Sequence, residues 1–300
     1  MLVVFSEADA TPSTTINGRE LRAISEAARL LGCRVHPIPA DFNVCGTAEA
    51  ALAYLPAFEP AVPGVWVGFI PTPERYAALY AAAQAHGVAL LHTPEQHQTA
   101  MEFDRFYPLL GELTPASAVA RTVEEALAAG TRLGYPLFVK GAVKSSKEQG
   151  WSACVAPDSA ALERLASDLL ARPGRSRGRV VLRQLAELRQ SGAAPGGFPL
   201  GREYRVFVYA GNVLASGYYW DEHADPFPLT SADRRAQTEL ALEATRRVGA
   251  PFLAVDLAQR ADGAWIVIEV GDGQFSGLSH VPVLELWSRL LEQVDPPLGR

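Results

Sequence analysis

FLAVDLAQRADGAWIVIEV, residues 252–270, places one acid in each of two apolar runs that meet at Asp262-Gly263. A two-residue turn there makes the runs the strands of a hairpin and pairs Ala261 with Ala264. Counted outward from that pair, Asp256 falls opposite Glu269 on the same face, with Cβ atoms roughly 4.5–5.5 Å apart. Like charges so placed among apolar neighbours destabilise a sheet unless one is protonated or a cation lies between them. A hard cation with oxygen ligands, Mg²⁺ above all, resolves the conflict and is commonly shared with substrate phosphates. Asp272, just past the strand, is a candidate third metal ligand. The alternative is that both acids reach solvent at the edge of the sheet.

The preceding hairpin, EYRVFVYA and VLASGYYW around Gly211-Asn212, puts Glu203 and Arg205 on one face, two residues apart. Arg205 suits a phosphate and Glu203 a ribose hydroxyl; a surface ion pair is the other reading. Upstream, YPLFVKGAVKSSKEQG (135–150) holds the chain's only lysines, Lys140, Lys144 and Lys147, whereas arginine occurs 24 times. Lys140 ends an apolar strand before a glycine. There an ammonium, as a compact point charge, approaches phosphate oxygens where a planar guanidinium does not fit. Lys144 and Lys147 fall in a loop that either closes over phosphates or simply carries solvated charge.

Residues 1–93 alternate apolar runs (2–5, 34–38, 65–70, 88–91) with helical patterns at 20–32 and 73–87, the grammar of a parallel α/β sheet. From 94 onward come a helix at 95–106, another at 122–134, strands at 136–140 and 179–185, and the two hairpins with a helix at 231–248 between them. Three hundred residues suit two domains or one large α/β domain. The boundaries expected are 1–93 and 94–300, the latter with a lid subdomain at about 120–180 and a metal-binding subdomain at about 181–295. A net charge of −6 argues against a whole-surface polyanion binder. Cys33, Cys45 and Cys154 have no zinc or disulfide spacing. The six histidines likewise show no metal spacing. No run approaches the roughly 20 apolar residues of a membrane helix, and MLVVFSEADA at the start has no basic n-region and too short an apolar run for a signal peptide; a cytoplasmic protein is expected. G-x-x-x-x-G-K-[ST] is absent, and GDGQFSG (271–277) lacks the spacing and the returning strand of a dinucleotide site.

Taken together, DRFYPLLGELTPAS, YPLFVKG, VVLRQL, GREYRVFV and the closing hairpin resemble the ATP-grasp superfamily, in order along about residues 94–293. TPEQH, EYRVFV and IEVGDGQFSGL look closest to its clade named for an arginine and two lysines. The resemblance implies an N-terminal parallel α/β (pre-ATP-grasp) domain followed by a two-subdomain ATP-grasp fold with antiparallel sheets, and ATP between the subdomains. It implies an ATP- and Mg²⁺-dependent carboxylate–amine ligase that forms an acylphosphate and releases ADP and phosphate. The substrates would be small-molecule or peptide carboxylates and amines.

By position, Lys140 would bind the α- and β-phosphates; Lys147, from the loop reading above, is a further cofactor-binding candidate. Arg105 would stand where many relatives have a phosphate-binding lysine. Backbone groups of Gln184 and Leu185 would hold adenine, Glu203 the ribose and Arg205 the terminal phosphate. Asp256 and Glu269 would ligate Mg²⁺. The chain departs from the usual E-x-N of the last metal ligands, since Asp272 is offset by one position. Six arginines between 172 and 189 offer a rival, an RNA- or nucleotide-binding protein without ligase activity. No stacking platform accompanies them. A homodimer is left open, and Ser6-Glu7, the STT run at 13–15, Gln274 and Ser276 are substrate-contact candidates by placement alone.

Overall fold

The computed structural model describes residues 1–12, 14–193, 198–220 and 223–294. Ser13, within the STT run, and the stretch from 295 onward lie outside the described residues. The chain begins with a parallel sheet built from β1 (Val3–Ser6), α1 (Ile16–Leu30), β2 (Arg34–Pro37), α2 (Ala48–Ala51), β3 (Val62–Val67), α3 (Pro73–Ala85) and β4 (Val88–Leu90), in strand order β2-β1-β3-β4. The helices begin where the sequence supplies caps. Thr15 and Thr72 accept backbone N–H groups of Gly18 and Arg75, and Pro73 fixes the first turn of α3.

Next come α4 (Pro94–Met101) and α5 (Phe103–Leu110). The single helix expected at 95–106 is thus two, because Glu102 takes an extended conformation (φ −105°, ψ 118°) between them. Its buried carboxylate there meets Arg105, Arg177 and Arg179. An antiparallel sheet of order β5-β8-β6-β7 follows, made of β5 (Ser117–Ala120), β6 (Leu137–Gly141), β7 (Val155–Ala156) and β8 (Val180–Gln184). It carries α6 (Val123–Leu133), α7 (Ser159–Leu170) and the short α8 (Pro173–Ser176), of which α6 and α7 share its core.

A small hairpin, β9 (Gln190–Ala193) and β10 (Pro199–Gly201), leads into the last sheet: β11 (Glu203–Tyr209), β12 (Asn212–Tyr218), β13 (Phe252–Gln259) and β14 (Trp265–Asp272), in order β12-β11-β13-β14. One face packs on α9 (Ser231–Val248) and α5 through Val206, Val208, Leu253, Val255 and Leu257. Phe207, Phe252 and Ala254 on the other join a core shared with α1, β3 and α10 (Val283–Val294). Among the described residues no helix is long and apolar enough to cross a membrane. The expected fold class, a parallel α/β unit followed by two antiparallel sheets, is what the chain adopts.

Both turns differ in detail from the sequence reading. The first hairpin turns at Ala210-Gly211, one residue early, with φ of +46° and +79° and Tyr209 paired to Asn212. The closing hairpin has a three-residue loop: Arg260 N–H donates to Ala264 O (2.8 Å), and Gly263 N–H returns to Arg260 O with Gly263 at φ +92°. By itself that loop would set Asp256 opposite Ile268. A bulge at Ile268 restores the register, so Leu257 pairs with Val267 and Asp256 with Glu269. The same bulge turns two consecutive side chains, Ile268 and Glu269, into one cavity.

Candidate active site

That cavity, about 390 Å³, lies between the β5–β8 sheet and the β11–β14 sheet. Its apolar end is formed by Phe138, Trp151, Phe198 and Ile268, beside the segment from Gln184 to Leu188 that connects β8 to β9. Its charged end holds Lys140, Lys147, Arg183, Glu203 and Glu269. The cavity thus runs from apolar walls into three cations and two carboxylates, a polarity suited to a ligand with one apolar and one charged end.

Each charge is placed by strand parity. Lys140 is the fourth residue of β6, paired with Val181, and its ammonium donates to Glu269 Oε1 at 2.5 Å. Arg205 pairs in register with Asp256, and its Nε and Nη2 each lie 2.8 Å from one oxygen of that carboxylate. The two acids therefore sit side by side, each neutralised by a cation: Glu269 by Lys140 from β6 of the facing sheet, and Asp256 by Arg205 from the adjacent β11. Burial opposes ionisation of Glu269, but Lys140 and then Lys147 hold its carboxyl below the usual range. Burial also works against the charge of Arg205, and Asp256 more than offsets it, raising the guanidinium further.

Lys147 Nζ stands 3.9 Å from Glu203 Oε2 and about 5 Å from the ring centres of Tyr219 (5.2 Å) and Trp220 (5.1 Å). Glu203 is only 4 % exposed, and its Oε2 accepts no hydrogen bond among the described residues. Burial, only partly countered by Lys147, raises its pKa. Such an atom is costly to leave unpaired and is suited to a hydroxyl donor from a ligand. Arg183 bridges the two sheets below the cavity, donating to Ile268 O (2.5 Å) and to Thr114 Oγ1. Burial pushes its guanidinium down to about 10. Sequence reasoning counts Arg183 only among the six arginines between 172 and 189, and singles out neither Tyr219 nor Trp151. The aromatic run Tyr218-Tyr219-Trp220 at a strand end is the available signal.

Residues 128–290, more than half the chain, match the model of an ATP-grasp domain family, family 3 of the clade named for an arginine and two lysines. The chain belongs to that family. Its ATP-grasp fold is similar to solved structures across almost its whole length. With D-cycloserine synthetase DcsG it shares 18 % identity over 98 % of this chain and 99 % of that one, with a TM-score of 0.62. The RimK domain protein ATP-grasp of Sphaerobacter thermophilus DSM 20745 gives 15 %, 98 %, 99 % and 0.61. D-alanine–D-alanine ligase of Bacillus anthracis, solved with ATP, gives 14 %, 97 %, 95 % and 0.63. No curated protein sequence matches the chain.

Of the residues expected at an ATP-grasp site, Lys140, Lys147, Gln184, Leu185, Glu203 and Glu269 line the cavity, and Asp256 with Arg205 adjoins its charged end through Glu269. Arg105 does not line it. It is drawn to Glu102 (3.3 Å), half exposed at the break between α4 and α5. Asp272 stands apart as well. It lies three residues beyond Glu269 on the same strand, hence on the opposite face, paired with Leu253. There it is wholly buried, its Oδ2 2.8 Å from His92 Nδ1 and 2.9 Å from His97 Nδ1. Burial opposes its charge, yet the two imidazoles hold its carboxyl well below the usual range.

The arginine run is mostly committed internally. Arg177 and Arg179 bind Glu102, Arg179 also binds Asp104, and Arg189 stacks 3.8 Å over Phe227.

Proposed function

We propose that the chain is an ATP- and Mg²⁺-dependent carboxylate–amine ligase that works through an acylphosphate. The observation that carries this reading is the two partly buried ion pairs, Lys140–Glu269 and Arg205–Asp256, at the charged end of a purine-sized cavity. In such a pair each charge can be exchanged for a ligand of the same sign. The ammonium of Lys140 and the guanidinium of Arg205 turn to phosphate oxygens, and the freed carboxylates turn to a divalent cation. Among the described residues no three acids, histidines or cysteines cluster as a metal site. A two-carboxylate set fits Mg²⁺, which keeps waters and phosphate oxygens as its remaining ligands. When bound by Asp256 and Glu269, Mg²⁺ would supply charge neutralisation across the phosphates.

Backbone groups of Gln184 and Leu185 would hold adenine between Phe138 and Ile268, Glu203 Oε2 would accept a ribose hydroxyl, and Lys147 would close over the phosphates. A carboxylate oxygen of the first substrate forms a bond to the γ-phosphorus while the P–O bond to the β-phosphate breaks and ADP departs with that electron pair. An amine nitrogen then attacks the acyl carbon, phosphate leaves, and the nitrogen gives up a proton. Lys140 and Arg205 stabilise the charge that spreads over the transferred group; the protein otherwise positions the reactants. The division at residue 93, with a lid at about 120–180 and a metal-binding part at about 181–295, belongs to the same proposal.

The test is ADP release across pools of amino acids, peptides and small carboxylates. Growth of ADP with one pool, and its loss in Lys140→Ala and Glu269→Ala proteins that melt cooperatively, is the expected result. Undiminished turnover in either variant removes that residue from the mechanism. Salt-sensitive RNA binding without ATP consumption would favour the RNA-binding rival.

A further inference from the structure

The loop after β6 has two faces. Ser145, Lys147 and Trp151 line the cavity already described, whereas Ser146, Gln149 and Ser152 line another, of about 380 Å³, between the loop and α7. Two 3₁₀ turns, Lys147–Gln149 and Trp151–Ala153, meet at Gly150 (φ +91°) to build this partition. Three residues per turn carry every third side chain to the same side, which groups 146, 149 and 152. One stretch of backbone is therefore a wall of both cavities.

The ends of that stretch are pinned. Val143 and Lys144 N–H donate to Arg175 O (3.1 and 3.2 Å), Arg175 Nη1 donates to Ser145 O, and Val139 N–H donates to Cys154 O (2.6 Å). Between those ends the segment faces α7 across the cavity, where Arg164, Asp168 and, just past the helix, Arg172 line it together with Leu165 and Leu169. Arg164 gives Nη1 to Ala160 O (3.1 Å), one of five guanidinium N–H groups. Ser146 is only 4 % exposed, yet its hydroxyl caps no backbone N–H of the turn it begins. Two guanidiniums, two hydroxyls and an amide against one carboxylate make a donor-rich, net positive lining, and guanidinium forks match phosphate oxygens. The volume lies within the range of small-molecule sites, with Leu165 and Leu169 left for an organic body.

We propose that this second cavity is a regulatory site for a small phosphate monoester, whose phosphate lies between Arg164 and Arg172 and within reach of Ser146. Its occupant joins α7 to the middle of the segment and so fixes the backbone that carries Lys147 and Trp151. Trp151 already packs on Phe198, ring centres 5.5 Å apart, in the apolar part of the first cavity. Holding that arrangement spares a nucleotide part of the ordering cost. The monoester and the nucleotide therefore tighten each other's binding by the same factor. Only the nucleotide half of this coupling rests on the ATP reading above.

The experiment is calorimetric titration of the full-length protein with its first cavity saturated by AMP-PNP and Mg²⁺. Glycerol 3-phosphate and glucose 6-phosphate are the probes, glycerol and glucose their controls. At least one phosphate probe binds saturably, its control does not, and R164Q and R172Q each weaken the probe about tenfold or more. Both arginines are exposed and lie outside the first cavity, so without probe the variants bind AMP-PNP as the wild type does, which reports an intact fold. In reverse, a saturating probe tightens AMP-PNP about fivefold in the wild type and not in R172Q. No binding by either probe, equal binding of the controls, or variants that bind the probe unchanged overturns the site. An AMP-PNP affinity indifferent to a bound probe overturns its regulatory role. Should AMP-PNP itself fail to bind, the ATP reading falls, and the same probe titrations on the nucleotide-free protein decide the site.

Discussion

Neutralising Glu269 should strengthen the binding of ATP when Mg²⁺ is withheld, although it should destroy turnover when Mg²⁺ is present. In the ligand-free protein Lys140 is held by Glu269, so phosphates must displace a carboxylate to reach the ammonium and then remain beside it. Mg²⁺, if held by that carboxylate as proposed, would remove the conflict. Glu269→Gln removes it without the metal. Two unit charges 4 Å apart interact by about 4 kcal/mol at an effective dielectric of about 20. The Glu269 side chain is 35 % exposed, so screening reduces the figure to about 1.4–2.8 kcal/mol, or roughly 10- to 100-fold in Kd. Calorimetry of ATP binding in EDTA, wild type against E269Q, reads this directly. The same pair in Mg²⁺ should show turnover falling by about 10³-fold or more, in line with loss of a group that stabilises the transferred charge. If E269Q binds metal-free ATP no more tightly than the wild type, the ion pairs are not exchanged for ligand charges and the reading of the site fails.

Asp272→Asn should cost about 2–4 kcal/mol in urea unfolding at pH 7, since it leaves two buried imidazoles without their carboxylate. The folded pKa of Asp272 is depressed, so its contribution is present above the unfolded value near 3.9 and is lost as pH falls below it; the gap between wild type and D272N should shrink on acidification from about pH 5, and a constant gap would refute the charged assignment. Glu203→Gln should reduce the preference for ATP over 2′,3′-dideoxy-ATP from about tenfold toward none, because the orphaned Oε2 is the acceptor assigned to the ribose; a preference unchanged in E203Q would remove that role. Arg183→Met should lower stability by about 2–4 kcal/mol through the abandoned Ile268 O and Thr114 Oγ1, and thermal melts unchanged from the wild type would show that the bridge between the sheets carries no weight.

The fold was legible because its grammar is periodic. Apolar runs alternating with helical patterns marked the parallel unit, and two turn signals marked the last sheet. What escaped was local chemistry with no period. The helix break at Glu102 follows from three arginines, two of them more than 70 residues away in sequence, converging on one carboxylate. The shifted turn at Ala210-Gly211 needs positive φ at an alanine, which propensity alone disfavours. Likewise, the cavity's aromatic wall draws on Trp151 and Phe198, which become neighbours only when distant loops fold over the same hinge.

The two acids of the closing hairpin show how a strand pairing can be read correctly through an incorrect path. A two-residue loop places Asp256 opposite Glu269; the actual three-residue loop would not, and a one-residue bulge at Ile268 compensates. Two one-residue displacements of opposite sense leave the pair intact, and the bulge adds Ile268 to the same wall. For Asp272 no such compensation exists. Side chains alternate along β14, and an odd offset from Glu269 sends its carboxylate through the sheet to His92 and His97. From there it still shapes the chemistry. Asp272 Oδ1 accepts the Gln274 N–H and its carbonyl accepts Ser276 Oγ, building the turn that ends at Gly277. Gly277 O in turn steadies the Arg205 guanidinium that faces Asp256. Asp272, put forward as a third metal ligand, is the footing of the turn that ends at Gly277, and strand parity alone, counted from Glu269, places its side chain on the opposite face of the sheet.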